Sequence, residues 1–168
     1  MEEKYERIDK VNYYLDIAET VAERSTCIRK RYGTVLVKND EIISTGYSGA
    51  PRNRDNCIDL GYCSREKTYP GIERGLGYDA CRSVHSEQNA IISASRKDMI
   101  GSTLYLVGVR GKEVEYEQNA SPCQMCRKMI INAGIEKVII RDTKSEYREI
   151  DVEEWIYNDD MKKGKLGY

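Results

Sequence analysis

Across residues 5–24 the apolar side chains Ile8, Val11, Leu15, Ala18 and Val21 recur every three or four positions. That spacing predicts a helix with one buried face. The period then changes. Residues 34–38 and 41–46 are short β-type runs on either side of Asn39-Asp40, a pair suited to a two-residue hairpin. Residues 47–82 are rich in Gly, Arg, Asn, Asp and Cys and show no period. An irregular insert of that length in a compact domain is usually functional, metal-pinned or disordered. Ala90, Ile91 and Ala94 predict a second helix over residues 83–97, and residues 103–109 a buried strand. Pro122 suits the first position of a third helix, with Met125, Met129, Ile130 and Ala133 on its core side and Gly134 closing it. Residues 137–140 read as another strand. From Glu146 the tail is charged, with Trp155, Ile156 and Tyr157 as its only anchor.

The order α, β, β, insert, α, β, α, β predicts an α/β sandwich around one mixed sheet. No repeat or linker divides the 168 residues. A single domain over residues 1–168 is therefore expected, carrying the insert at 47–82 and a tail from about 143. Phe is absent, so 13 Tyr and one Trp must supply the aromatic packing.

Charge and cysteine content narrow the function classes. Lys+Arg number 27 against 28 Asp+Glu, a net charge of −1, which removes the long-range attraction that duplex-binding proteins exert on phosphates. No nucleic-acid partner is expected. No apolar stretch reaches the roughly 18 residues of a membrane span, and the first ten residues lack the apolar core of a signal peptide. No membrane association is expected, and the expected location is cytoplasmic. In that reducing setting six cysteines favour metal ligation over disulfides. The single histidine, His85, excludes a His-rich metal site and a second catalytic imidazole.

Two fragments carry candidate chemistry: His85-Ser86-Glu87 and Pro122-Cys123-Gln124-Met125-Cys126. Each stands where a helix is predicted to begin. Residues two apart on a helix point about 200° apart, so His85 and Glu87 can share a ligand only off the helix N-terminus. Cys123 and Cys126, three apart, fall on one face. Two helix starts aimed at one zinc would gather two thiolates and an imidazole and leave a fourth position for water. Both N-termini favour the thiolate form. The bland alternative makes His85 a solvated cap and the two cysteines small core residues. His-x-Glu followed by Pro-Cys-x-x-Cys is the pattern of zinc nucleobase deaminases, in which the Glu moves protons outside the metal shell.

The wider sequence resembles the deoxycytidylate (dCMP) deaminase family, in its bacterial and phage branch. The likeness is carried by Arg24-Ser25-Thr26-Cys27, by residues 32–37 and 44–52, by Asn56-Cys57-Ile58-Asp59 with Cys63, and by residues 81–91, and it runs from about residue 10 to about 142. It implies a cytidine deaminase-like fold, a three-layer α/β/α sandwich around a mixed five-stranded sheet. It implies hydrolysis of dCMP to dUMP and ammonia, supplying deoxyuridylate for thymidylate synthesis. It further implies zinc on His85, Cys123 and Cys126, Glu87 as the proton carrier, the Ser86 N–H on the base O2, and a carbonyl near Ser121 on the amino group. Family members form symmetric homo-oligomers, often hexamers. Many respond to dCTP and dTTP, with Mg²⁺ carried on the triphosphate. Here Gly46-Tyr47-Ser48-Gly49 and the insert are where such an effector would sit. The sequence departs from the family at Ser48, where an Asn usually holds a sugar hydroxyl, and at Ser86, usually Ala.

Several smaller features keep two readings. Arg52 and Arg110 are candidates for a 5′-phosphate or are solvated surface arginines. Gly46 and Gly49 serve either close backbone approach to a ligand or a turn. Glu113, Glu115 and Glu117 read as a solvated face. Cys27, Cys57, Cys63 and Cys81 are candidates for a second, closed zinc that would order the insert. Their spacings of 6 and 18 (63−57 and 81−63) are wider than a Cys-x₂₋₄-Cys knuckle, so a three-cysteine site, inert thiols or a disulfide stay open. Besides dCMP, the sequence admits dCTP, a cytidine nucleoside or a tRNA base as substrate. A non-catalytic zinc module is the remaining class, and Glu87 argues against it.

Overall fold

A computed structural model describes residues 5–158. Five strands form one mixed sheet: β1 (Arg31–Lys38), β2 (Glu41–Tyr47), β3 (Thr103–Arg110), β5 (Lys137–Arg141) and β6 (Tyr147–Asp151), in the order β2-β1-β3-β5-β6. A two-residue strand, β4 (Glu115–Tyr116), adds a sixth beside β3. The β3–β5 pair is parallel and the other pairs are antiparallel. The helices are α1 (Lys10–Ala22), α2 (Cys57–Leu60), α3 (Ser64–Thr68), α4 (Ser86–Ile92), α5 (Arg96–Met99), α6 (Gln124–Ala133) and α7 (Val152–Tyr157). Among the described residues, no helix is long and apolar enough to cross a membrane.

Side-chain alternation sorts the core into two halves. Val35, Val37, Tyr105, Val107 and Ile139 pack under α1 through Tyr14, Leu15, Ala18 and Ala22. Their chain neighbours Leu36, Leu104, Leu106, Val138 and Ile140 point to the other face and meet Ala90, Ile130, Ala133 and Val152. Successive residues of a strand face opposite ways, so a central strand covered on both sides reads as a continuous apolar run. The result is the three-layer α/β/α sandwich, with α1 on one side and α4, α5, α6 and α7 on the other.

Topology also fixes where helices begin. β2 and β3 both run antiparallel to β1, hence parallel to one another, and β5 runs parallel to β3. α4 joins β2 to β3 and α6 joins β3 to β5, across the same face. Both helices therefore start beyond the same, C-terminal edge of the parallel strands, where open α/β sheets bind ligands.

The elements depart from the sequence pattern in four places. α1 begins at Lys10, capped by the Asp9 side chain, so that Tyr5 and Ile8 lie outside it and exposed. The expected helix over 83–97 breaks after Ile92, because Ser95 caps a separate short helix through the Asp98 N–H. In α6 the buried stripe is Cys126, Ile130 and Ala133, while Met125 and Met129 are half-buried, and Pro122 stands one residue ahead of the cap. The charged tail is not loosely anchored. Residues 147–151 are the edge strand β6, whose alternately exposed positions mimic a polar linker, and Trp155 of α7 packs on the Arg127 guanidinium at 5.0 Å. The hairpin is as expected, with Asn39 and Asp40 both left-handed (φ 51° and 64°), the conformation a type I′ turn requires.

One buried charge ties α1 to the sheet. Arg141, at the end of β5, is fully buried and donates to Asp16 Oδ1 (2.7 Å), Glu19 Oε2 (2.8 Å) and Asn12 Oδ1 (3.0 Å). Removing one partner of a buried ion pair strands the others. Arg141→Met is expected to lower the unfolding free energy by about 3 kcal/mol, measured by urea denaturation.

Candidate active site

His85 and Cys123 are the N-caps of α4 and α6, each with extended backbone just outside its helix. Gln88 secures the first, its Oε1 accepting from the His85 N–H at 2.9 Å. Cys126 follows one turn into α6 and is fully buried. The two helix starts bring His85 Nδ1 to 3.4 Å from Cys123 Sγ and 3.5 Å from Cys126 Sγ. All three ligand atoms lie within 4.8 Å of one another. Ligands around a tetrahedral zinc at ordinary bond lengths stand about 3.6 Å apart, and the two His85–sulfur distances match that spacing.

Proton sharing in the cluster suits a cation. A thiol from Cys126 and the His85 ring hold Cys123 well below the usual thiol range, against the effect of burial. The Cys123 charge, burial and nearby Glu87 push Cys126 up. Burial disfavours a charged His85, yet Cys123, Cys81 and Glu87 push it up to about 10. Two thiolates and a neutral imidazole neutralise a divalent ion, which would replace the protons now shared among them.

Glu87, the second residue of α4, is 4% exposed. Burial pushes its carboxyl up and the His85 charge opposes the shift. The Ser86 hydroxyl donates to Glu87 Oε2 at 3.1 Å, and Thr34 of β1 donates to that hydroxyl at 2.8 Å. A carboxyl kept out of water, with a raised pKa and a fixed orientation, is suited to taking up and releasing protons near neutral pH. Thr34 reads in sequence as one more residue of a strand. Only the packing of β1 on α4 gives it this role.

Glu87, His85 and Cys123 line a cleft with Tyr32, Tyr78 and Ser86. Ser48 and Ser121 also line it. The Ser48 hydroxyl is already engaged, accepting from the Tyr32 N–H at 3.1 Å and lying 2.7 Å from Ser25 Oγ. Neither Arg52 nor Arg110 is on the cleft wall, and Arg110 pairs with Glu117. The cations on the wall are Arg29, Lys30, Arg65 and Arg74, which the sequence did not distinguish from other basic residues. Glu117 is not part of a solvated face. It is 1% exposed and pairs with Lys30, Arg74 and Arg110, and although burial opposes its charge, Lys30 and Arg110 hold its carboxyl below the usual range.

The insert is compact. It contributes α2, α3 and a single 3₁₀ turn (Tyr78–Ala80). Cys27, Cys63 and Cys81 line the cleft and Cys57 is buried behind it. Burial first, then Cys27, Cys81 and Cys63, push the Cys57 thiol up. Among the described residues these four form no second cluster as tight as that of His85, Cys123 and Cys126.

Comparisons with known proteins show the family. A family model, the cytidine and deoxycytidylate deaminase zinc-binding region, matches residues 8–141. A deoxycytidylate deaminase of Mycobacterium phage D29 is 35% identical over 136 residues, which cover 79% of this chain and 94% of the phage protein. A deoxycytidylate deaminase of Schizosaccharomyces pombe is 32% identical over 128 residues, 76% of this chain but 35% of the yeast protein, so the chain spans about a third of that relative. The crystal structure of a dCMP deaminase from cyanophage S-TIM5, in complex with dCMP and dUMP, superposes with a TM-score of 0.53 at 27% identity, covering 80% of this chain and 84% of the other.

Gly46 sets the depth of the site. A Cβ there would lie 2.3 Å from the Ser86 carbonyl and 2.4 Å from the Ala90 nitrogen, both backbone atoms of α4. The glycine serves close approach of a helix, not of a ligand. Gly46→Ala must push α4 off β2, at about 1–3 kcal/mol. Denaturant unfolding should show that loss, and zinc titration should show weaker binding as His85 leaves Cys123 and Cys126.

Proposed function

We infer that this chain, which belongs to the cytidine and deoxycytidylate deaminase family, hydrolyses dCMP to dUMP and ammonia. The observation that carries the reading is the buried Glu87 carboxyl in one cleft with His85 and Cys123, whose ligand atoms gather with that of the buried Cys126. A zinc ion on those three residues would supply the Lewis acidity that lets a water ionise near pH 7 instead of about 16. Glu87 takes a proton from the attacking water and delivers it to N3 of the cytosine as the oxygen adds to C4. It then carries the second proton to the amino group, which leaves as ammonia while the C4 carbonyl forms. One carboxyl serves both transfers because water and base lie on either side of it. The Ser86 N–H at the start of α4 holds the base O2, and a carbonyl near Ser121 accepts from the amino group. Lys30 and Arg74, on the cleft wall, supply positive charge for the 5′-phosphate, the part for which Arg52 and Arg110 are the candidates in sequence.

Three finer assignments belong to the same proposal. The deaminase unit takes in residues 1–168, of which the termini lie outside the described residues. The chain forms a homo-oligomer, with a hexamer favoured, that responds to dCTP and dTTP with Mg²⁺ on the triphosphate; this rests on the family resemblance. A second zinc is held by Cys27, Cys57, Cys63 and Cys81. Its support is the gathering of three thiols around Cys57, and binding would draw the four sulfurs closer together.

Ammonia release from dCMP, CMP, deoxycytidine and dCTP, each with and without chelator, tests the reaction. Turnover is expected for dCMP above the other three and should be lost with the metal. Glu87→Gln should keep its zinc and lose roughly 100-fold or more in rate, and full activity in that variant refutes the proton-carrying role. Adding dCTP or dTTP to the same assay, with sedimentation of the protein, reads control and subunit number. Metal analysis is expected to give two zincs per chain, falling to one in Cys57→Ser; one zinc in the unsubstituted protein rejects the second site.

A further inference from the structure

Metal-binding histidines are normally held in place through their second ring nitrogen, which donates to a carboxylate, a backbone carbonyl or water. Among the described residues His85 has neither a carboxylate nor a carbonyl on its ring. Its ring partners are the sulfurs of Cys123 and Cys126, which would share the metal with it, and of Cys81, and sulfur is a weak hydrogen-bonding atom that imposes little direction. Something else must fix the plane of the imidazole. The side chain in position to do so is Tyr78, whose ring meets His85 edge-to-face with centroids 4.8 Å apart and planes at 85°. That is the arrangement aromatic quadrupoles prefer, and it loses strength when either ring tilts.

Tyr78 is held in turn from behind. Arg65, the second residue of α3, lies over the Tyr78 ring with its guanidinium carbon 5.1 Å from the centroid. Arg65 is 5% exposed, and its Nε and Nη2 each donate at 2.6 Å, to the carbonyls of Leu76 and Glu73. Among the described residues no carboxylate pairs with it. Its cation is satisfied by two loop carbonyls and an aromatic face, so its place is set by the fold of residues 73–78 and not by a mobile surface acid.

We propose that Tyr78, clamped by Arg65, is a positioning residue that sets the His85 imidazole for metal binding. The insert thereby carries the side chain that orients the one nitrogen ligand. The inference rests on the metal-dependent reading above, but none of its main readouts uses a nucleotide.

His85 is the only histidine in the chain, so its ring signals in NMR are free of overlap with those of any other imidazole. In the zinc-loaded protein, proton contacts between the Tyr78 and His85 rings are expected, and their absence overturns the proposal without any variant. Tyr78→Phe keeps the ring and should leave zinc affinity and the visible spectrum of the cobalt(II)-loaded protein within about twofold of the starting protein. Tyr78→Leu removes the aromatic contact and should weaken zinc binding, read by chelator competition, about 10–100-fold, the scale of lost outer-shell support. It should also shift the cobalt bands. Arg65→Met should move both readouts in the same direction by less. With dCMP, kcat should fall in the Leu variant while KM stays near its starting value. Wild-type zinc affinity and cobalt bands in Tyr78→Leu overturn the proposal, as does equal damage from Tyr78→Phe. If dCMP is not turned over at all, the metal and NMR readouts still decide this point separately from the proposed reaction.

Discussion

A three-residue metal site with ligands 38 positions apart in sequence exists only if two helix starts reach the same point. Here that condition is met by strand direction. Because β2, β3 and β5 point the same way, the helices that follow β2 and β3 begin at one edge of the sheet, on one face. Gly46 then allows the backbone of α4 to rest directly on β2, a contact that any side chain at that position would obstruct. The candidate site is thus held by helix starts packed on the sheet, and its donor atoms need no loop to bring them together. Pre-organisation of this kind keeps the ligand geometry from being lost to chain entropy when the ion is absent.

The second constraint is electrostatic. The cleft holds a buried carboxyl whose pKa is raised, close to thiols whose pKa values are pushed apart, and this is the signature of groups arranged for proton and metal chemistry. A second buried carboxylate, Glu117, which pairs with the wall cations Lys30 and Arg74, does the reverse. Surrounded by Lys30, Arg74 and Arg110, it stays ionised and draws three long basic side chains together. Lys30 and Arg74 reach the cleft wall beside Arg29 and Arg65, which makes the wall positive in a chain whose overall charge is −1. Local arrangement, not composition, sets the field that an anionic ligand meets.

The insert connects the two. Its apolar content is too low to fold by burial alone. It is pinned instead by polar contacts: the Ser64 hydroxyl to the Ala80 carbonyl (2.8 Å), Arg65 to the carbonyls of residues 73 and 76, and Arg74 to the carbonyls of Gln118 and Asn119 (3.2 and 2.8 Å). These bonds close one side of the cleft and bring Tyr78 against His85. A segment that looks like an interruption between two helices is, in the folded protein, a wall of the candidate site.

Local physics made part of this legible from the sequence. The periods of apolar residues gave α1, the central strands and the two helices after them. Asn39-Asp40 declared its turn because few other residues tolerate left-handed backbone there. His85, Glu87, Cys123 and Cys126 were readable because each motif sits at a helix start, and helix starts are marked in sequence by their caps. What the sequence left open depends on partners distant in the chain. Glu117 looked solvated because its three cations come from residues 30, 74 and 110, and Arg141 was indistinguishable from a surface arginine until α1 packed on β5. The edge strand β6 (Tyr147–Asp151) has three charged residues in five and no period-2 alternation of apolar side chains, so it reads like a polar tail, and only pairing with β5 separates the two. Tyr78 and Arg65 carry no motif at all. Burial and charge compensation are sums over neighbours in space, and neighbours in space are what the tertiary structure alone supplies.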